Sequence, residues 1–321
     1  MCWTHQPKGH DSGGVTTTTT SPPTSPGPVT NRAALTAATA VAPVVWGTTY
    51  LVTTELLPPD HPLFAALMRA LPAGALGLLL SRTLPRGAWW WKAAVLGALN
   101  IGLFFPLLFL AAERLPGGVA ATLGAAQPIL VAVLAVIVLS ERLSLWRLGW
   151  GVVGVVGVGL VVLGPGAMFD PAGIIAGLAG AAAMGIGVVL TKRWGRPEEV
   201  SAIGFAGWQL TAGGLVLLAP TLLFEGIPSR IGAPAVAGYL WLGIVGGLLA
   251  YSLWFNGLRT LPVTATALLG LLSPLVAAVL GVVVAGETLS ALQRVGFAFA
   301  LAALGAGQVI PRPRTRKGLP S

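Results

Sequence analysis

A single cysteine, Cys2, leaves this sequence without a partner for a disulfide and without a thiol cluster for a metal. Its three histidines, His5, His10 and His61, are scattered over an amino-terminal stretch and one short loop. They supply neither a metal site nor the base of a nucleophile triad. Charge is scarce as well: Asp, Glu, Lys and Arg together make up 9% of the chain, against roughly 25% in soluble domains. No Asp or Glu falls at the middle of any long apolar run, so the carboxylate relay of a proton-driven pump is missing there and the coupling ion stays open. No glycine leads into a lysine in a P-loop pattern, which excludes ATP hydrolysis by this chain. Gly149, Gly151 and Gly154 do spell GxGxxG, but inside an apolar run with no strand before it. Close helix packing is the reading for them, as for Gly173/Gly177 and Gly243/Gly247 at GxxxG spacing.

Apolar side chains are abundant instead. They form 55% of the 321 residues, and the mean hydropathy is +0.83, outside the soluble range. Runs of about 20 apolar residues, the length needed to cross a hydrocarbon core of about 30 Å, recur with short polar breaks. The breaks predict spans at about 33–54, 62–81, 93–112, 115–139, 148–169, 171–191, 200–224, 233–257, 261–285 and 291–310. Continuous runs of this length satisfy their backbone hydrogen bonds as helices, since barrel strands would alternate over about ten residues. The expected fold is therefore an all-α polytopic membrane protein with ten transmembrane helices. Residues 1–32, rich in Thr, Ser and Pro, read as a disordered cytoplasmic tail without a secretory signal, and 311–321 as a basic cytoplasmic tail.

The net charge of +9 is not a nucleic-acid footprint, because Lys and Arg stand singly or in small groups with no continuous basic face. It reads as topology. With both termini inside, 15 basic residues fall on the cytoplasmic side and only Arg114, Arg230 and Arg294 outside. Trp89, Trp90 and Trp91 beside Lys92 fit an aromatic belt at the inner interface.

The segment 115–144 resembles 261–290, with close to half the positions identical. Pro116 pairs with Pro262, Pro128 with Pro274 and Glu141 with Glu287, each pair 146 residues apart. Five spans separate the copies, so the second enters the membrane with opposite orientation, an inverted repeat of the kind on which many secondary transporters are built. The stretches WGTTYLV at 46–52 with Arg69 in the next span, LP…QP…SERLS ending at Ser144, WQLTAGGL at 208–215, LAYSLWFNGLRTLP at 249–262 and SPLVAAVLGVVVAGETLS at 273–290 make the sequence similar to the EamA family of the drug/metabolite transporter superfamily, over about residues 35–310. A glycine typically follows the repeat's Glu by about nine residues, as Gly296 does, whereas Gly149 comes one residue early. The resemblance implies two inverted five-helix repeats, 33–169 and 170–310, around a central cavity, and export of amino acids, other metabolites or drugs.

Arg69 is the only charged residue well inside a span. At a cost of about 2.5–3.5 kcal/mol on insertion scales, it should face protein or water, either bonding backbone carbonyls or holding an anionic substrate group. Trp46, Tyr50, Asn100, Gln127, Gln209, Trp254 and Ser273 lie at similar depth, as cavity lining or as interhelical hydrogen-bond partners. Pro128 and Pro274 occupy equivalent mid-span positions in the two repeats, where a missing N–H bends a helix and exposes a carbonyl. Glu141 and Glu287, at span ends beside Ser144 and Ser290, read as helix-end structure. The expected function is secondary transport by alternating access, the rivals being a membrane receptor or scaffold and an intramembrane enzyme. No cofactor or metal is expected. The expected partners are a small-molecule substrate and membrane lipid, no nucleic acid, and a homodimer is compatible with the sequence.

Overall fold

The computed structural model describes residues 32–115, 123–140, 144–162, 170–285 and 290–309. The expectations for the amino-terminal tail, the basic carboxy-terminal tail, Pro116, Glu141 and Glu287 lie outside them. Among the described residues there is no strand. The helices are α1 (Arg32–Leu56), α2 (Pro62–Ser81), α3 (Trp89–Ala111), α4 (Leu123–Leu139), α5 (Leu145–Val161), α6 (Pro171–Trp194), α7 (Ala202–Glu225), α8 (Ala233–Thr260), α9 (Val263–Val284) and α10 (Ala291–Gln308). Seven of these, α1 to α3 and α6 to α9, are long and apolar enough to cross a membrane. The shorter apolar helices α4 and α5 border on undescribed residues, and α10 carries Gln293, Arg294 and Gln308.

Side chains close the helix ends where the sequence provides them. Asp170 accepts a hydrogen bond from Gly173 N at 2.8 Å ahead of Pro171, and Ser201 accepts one from Gly204 N at 3.1 Å. Ser144 accepts from Arg147 N at 3.3 Å. Ser290 and Gln293 exchange reciprocal bonds in a capping box. The start of α2 is capped from a distance: both oxygens of Glu225, at the end of α7, accept from Leu63 N and Phe64 N at 2.8 and 2.7 Å. A cap of this kind contributes about 1 kcal/mol. At its other end α2 stops at Arg82, whose φ of 50° turns the chain out of the helix.

The packing repeats. α2 lies against α7 and α5 against α10, while the pairs α3–α6 and α4–α6 recur as α8–α1 and α9–α1, each helix replaced by the one five places along the chain. Of three π-helical segments among the described residues, Thr221–Glu225 at the end of α7 has no counterpart in α2, but Ala98–Leu103 in α3 and Trp241–Leu249 in α8 correspond. Carried forward by the 146-residue offset, the α3 segment falls on 244–249, inside that of α8. α4 also meets its own counterpart α9, and the two most extensive self-paired contacts, α2–α7 and α5–α10, are backbone against backbone. A Cβ at Gly207 would stand 3.0 Å from the backbone of Gly77 and Leu78, and one at Gly157 2.8 Å from Gly296 O. The packing reading of GxGxxG holds in part. Gly154 faces Leu271 and Ala303 closely and Gly151 makes ordinary contact, but Gly149 faces open space and needs no glycine for fit.

Candidate functional site

Where the helices fail to fill the centre, a cavity of about 110 Å³ remains. Seven helices contribute to it: Trp46 and Thr49 from α1, Arg69 from α2, Phe104 and Leu108 from α3, Gly124, Ala125 and Gln127 from α4, Ala181 and Met184 from α6, Tyr251 and Trp254 from α8, and Gly270, Ser273 and Pro274 from α9. Its volume is smaller than the roughly 300–1,000 Å³ of pockets that enclose drug-sized ligands, so this conformation is contracted around its centre.

Arg69 is the cationic group of the wall and is only 3% exposed. Its guanidinium donates to Thr49 Oγ1 at 3.4 Å and to Gly246 O at 3.3 Å and stands 4.6 Å over the Phe105 ring. Gly246 lies in the π-helical segment of α8, where the ordinary helical ladder is interrupted, and its carbonyl also accepts the Trp46 indole N–H at 2.9 Å. One backbone carbonyl thus anchors two wall residues of the first half on a helix of the second. Beside them Trp46 packs at a tilt against Tyr251 and Trp254, with centroids 5.0 and 5.2 Å apart. The Trp254 indole N–H is buried at the wall without a hydrogen-bond partner, a donor left over for an acceptor in the cavity.

The residue before each proline, Gln127 and Ser273, lines this space, and Pro274 does too. α4 is interrupted at Ala126, just before Gln127-Pro128, and α9 at Gly270–Leu271, just before Ser273-Pro274. Three-residue turns bridge the gaps, Ala126 N to Leu123 O at 3.2 Å in one and Leu271 N to Leu268 O at 3.1 Å in the other. Proline has no N–H to give the residue four back, which is Gly124 for Pro128 and Gly270 for Pro274. Both glycines line the cavity and are 146 residues apart. Gly270 O, without a donor at Pro274, accepts instead from Ser273 N at 3.1 Å, so the ladder tightens to a three-residue turn beside the cavity.

The sequence candidates divide. Trp46, Arg69, Gln127, Trp254 and Ser273 share the wall. Asn100 and Gln209, both fully buried, do not belong to it. They bond each other between α3 and α7, Asn100 Nδ2 donating to Gln209 Oε1 at 2.7 Å and to Thr191 Oγ1 of α6 at 3.3 Å. Asn100 Oδ1 presses on Gly187, where a Cβ would overlap it. Polarity at mid-depth is common to both groups and does not tell an interhelical pair from a cavity wall. The Tyr50 side chain lies outside the described residues. Sequence reasoning passed over Thr49 and Tyr251 except as neighbours of the candidates, and over Phe104, Met184, Gly124 and Gly270 altogether. Only the two glycines left a signal, through their fixed distance to the repeated prolines.

The sequence pattern of the EamA-like transporter family matches residues 33–163 and again residues 171–305. The chain is similar to Protein PecM of Dickeya dadantii, 48% identical over 263 residues covering 82% of this chain and 88% of that one. It is similar to a WAT1-related chloroplastic protein of Arabidopsis thaliana, at 30% identity over 81% of this chain and 66% of the other. It also resembles the uncharacterized inner membrane transporter YedA of Escherichia coli K12, at 26% identity over 82% and 88%. A solved crystal structure superposes with a TM-score of 0.70 over 86% of this chain and 96% of that chain, at 23% identity, which speaks for the fold alone.

Proposed function

Because this chain belongs to the EamA-like transporter family, and is an integral membrane transporter rather than an enzyme, we propose that it carries a small metabolite out of the cytoplasm by alternating access through the central cavity. The observation that supports this most is the composition of the wall: a buried guanidinium, the unpartnered Trp254 indole N–H and the polar side chains of Gln127 and Ser273, drawn from both family repeats. Such a set suits a compact solute with an anionic or carbonyl group and a flat apolar part, as amino acids and related metabolites have. Export and the substrate class rest on the family resemblance.

The ten-helix inverted arrangement is part of the same proposal. It is supported by the recurrence of helix pairs and of one pair of π-helical segments at the repeat offset, and by two further pockets. One is lined by residues between 82 and 89 and between 197 and 208, the other by residues between 55 and 61 and between 228 and 235. Moved by 146, the segment 82–89 becomes 228–235, so the pockets exchange under the repeat and belong on opposite faces of the bilayer. With the 15 to 3 distribution of basic residues, both termini are cytoplasmic. Reporter fusions at 165 and 230 are expected to signal outside and a fusion after 321 inside; an outside signal at the carboxy terminus sinks the ten-helix count.

Transport itself is tested in proteoliposomes with a panel of radiolabelled amino acids and related metabolites. Gln127→Cys and Ser273→Cys, each in a Cys2→Ser background, are expected to react with a small hydrophilic thiol reagent, and the transported compound to slow that reaction at both positions. Flux with no reaction at either position, whether substrate is present or absent, would move the pathway elsewhere.

A further inference from the structure

The pocket between the α2–α3 and α6–α7 connections has a volume of about 770 Å³, within the range of sites that enclose a ligand. Its floor is aromatic. Trp89 meets Phe205 edge-to-face and Trp208 at a tilt, with centroids 5.7 and 5.9 Å apart, and the Trp208 indole N–H donates to Thr83 O at 2.8 Å, holding the connection against α7. Its charged wall consists of Arg82, Arg86 and Glu199. Among the described residues none of these three side chains makes a hydrogen bond or an ion pair, although the carboxylate and the two guanidinium groups line one pocket. Arg82 sits at the left-handed turn that ends α2. On the adjoining surface Leu79, Leu80 and Leu84 are 72%, 62% and 60% exposed, the aspect of residues that face acyl chains.

Two unpaired cations and one unpaired anion in a single pocket fit a ligand that carries both signs. We propose that the pocket binds a phosphoethanolamine group, the phosphate between Arg82 and Arg86 and the ammonium at Glu199. Paired guanidinium groups are the usual partners of a phosphate, through short charge-assisted bonds. A primary ammonium returns such bonds to the carboxylate, whereas a singly anionic headgroup would leave Glu199 repelling it. The apolar residues beside the pocket match a phosphatidylethanolamine molecule with its headgroup inside and its tails along Leu79, Leu80 and Leu84. Soluble O-phosphoethanolamine offers the same head without the tails. This site is separate from the central cavity and does not depend on the identity of the transported compound.

The test uses the full chain, purified in mild detergent and offered equal amounts of phosphatidylethanolamine, phosphatidylglycerol and phosphatidylcholine, with bound lipid read by native mass spectrometry. The wild type is expected to retain one phosphatidylethanolamine preferentially. The double variant R82Q/R86Q should retain it about tenfold less, and E199Q should lose the preference over phosphatidylglycerol while still binding lipid. In a second arm, O-phosphoethanolamine and inorganic phosphate are added at millimolar concentration. Failure of the former to displace the lipid supports the lipid as the source, and saturable binding of it without lipid supports the soluble compound. Equal retention of all three lipids by the wild type, which needs no variant to interpret, overturns the proposal. So does unchanged retention in a monodisperse R82Q/R86Q protein.

Discussion

Replacing Arg69 with leucine is expected to lower the initial rate of substrate flux in proteoliposomes by roughly 10- to 100-fold, the loss of about 1.5–3 kcal/mol that removing a charged hydrogen-bond partner brings. The side chain reaches the cavity as its cation, and it also ties α2 to α1 through Thr49 and to α8 through Gly246 O. Leucine keeps much of the volume and the contact with Phe105 but leaves Thr49 Oγ1 and part of Gly246 O without their donor; Trp46 still supplies that carbonyl with one bond. The fold is therefore expected to survive in a monodisperse, folded fraction while transport falls. Arg69→Lys, which retains the charge and loses the planar fork, should fall in between. Wild-type flux at wild-type folded yield in Arg69→Leu would remove Arg69 from both roles.

The second large effect concerns glycines of the same two helices whose substitution changes stability in opposite directions. In α5 and α10, a Cβ at Gly157 or Gly296 would enter the other helix's backbone, 2.8 Å from Gly296 O and 2.6 Å from Gly157 O respectively. At Gly149 and Gly305 nothing lies within 4 Å. Alanine normally stabilises a helix interior by about 0.5–1 kcal/mol relative to glycine. Gly149→Ala and Gly305→Ala should accordingly raise the thermal midpoint in detergent or leave it unchanged. Gly157→Ala and Gly296→Ala should lower it, since overpacking costs about 1–3 kcal/mol. Gly157→Leu and Gly296→Leu are expected to abolish the folded peak in size-exclusion chromatography. A midpoint for Gly296→Leu equal to that of Gly149→Ala would mean that the α5–α10 contact is not the one described.

Much of the bundle was legible because lipid imposes a simple requirement: long apolar runs are helices, and their ends can be read from Pro171, Ser201 and Ser290, which stand at described helix starts. The π-helical segments were not legible, since Ala98–Leu103 and Trp241–Leu249 carry no residue that forces a wider turn. In the cavity, Arg69 was legible because an isolated charge at depth needs a polar surrounding, and Gln127 and Ser273 because the repeat set them at equal depth. Asn100 and Gln209 look the same in sequence but bond each other between α3 and α7, away from the cavity wall. Met184 and Phe104 could not be distinguished from the many apolar residues that face lipid or neighbouring helices. Which side of a helix a residue occupies is decided by its neighbours, and the sequence does not contain that information until the helices are packed.

The glycine contacts of α2 with α7 and of α5 with α10 also have a mechanical meaning. Surfaces whose side chains interlock resist sliding, because each knob must climb out of its hole, whereas Gly77 against Gly207 and Gly157 against Gly296 present two nearly smooth cylinders. Such joints are stiff under compression and compliant in shear, much like plain bearings. They lie at the two most extensive of the helix pairs that map onto themselves when each helix is exchanged for its counterpart, so a small tilt of one half against the other would be taken up at both.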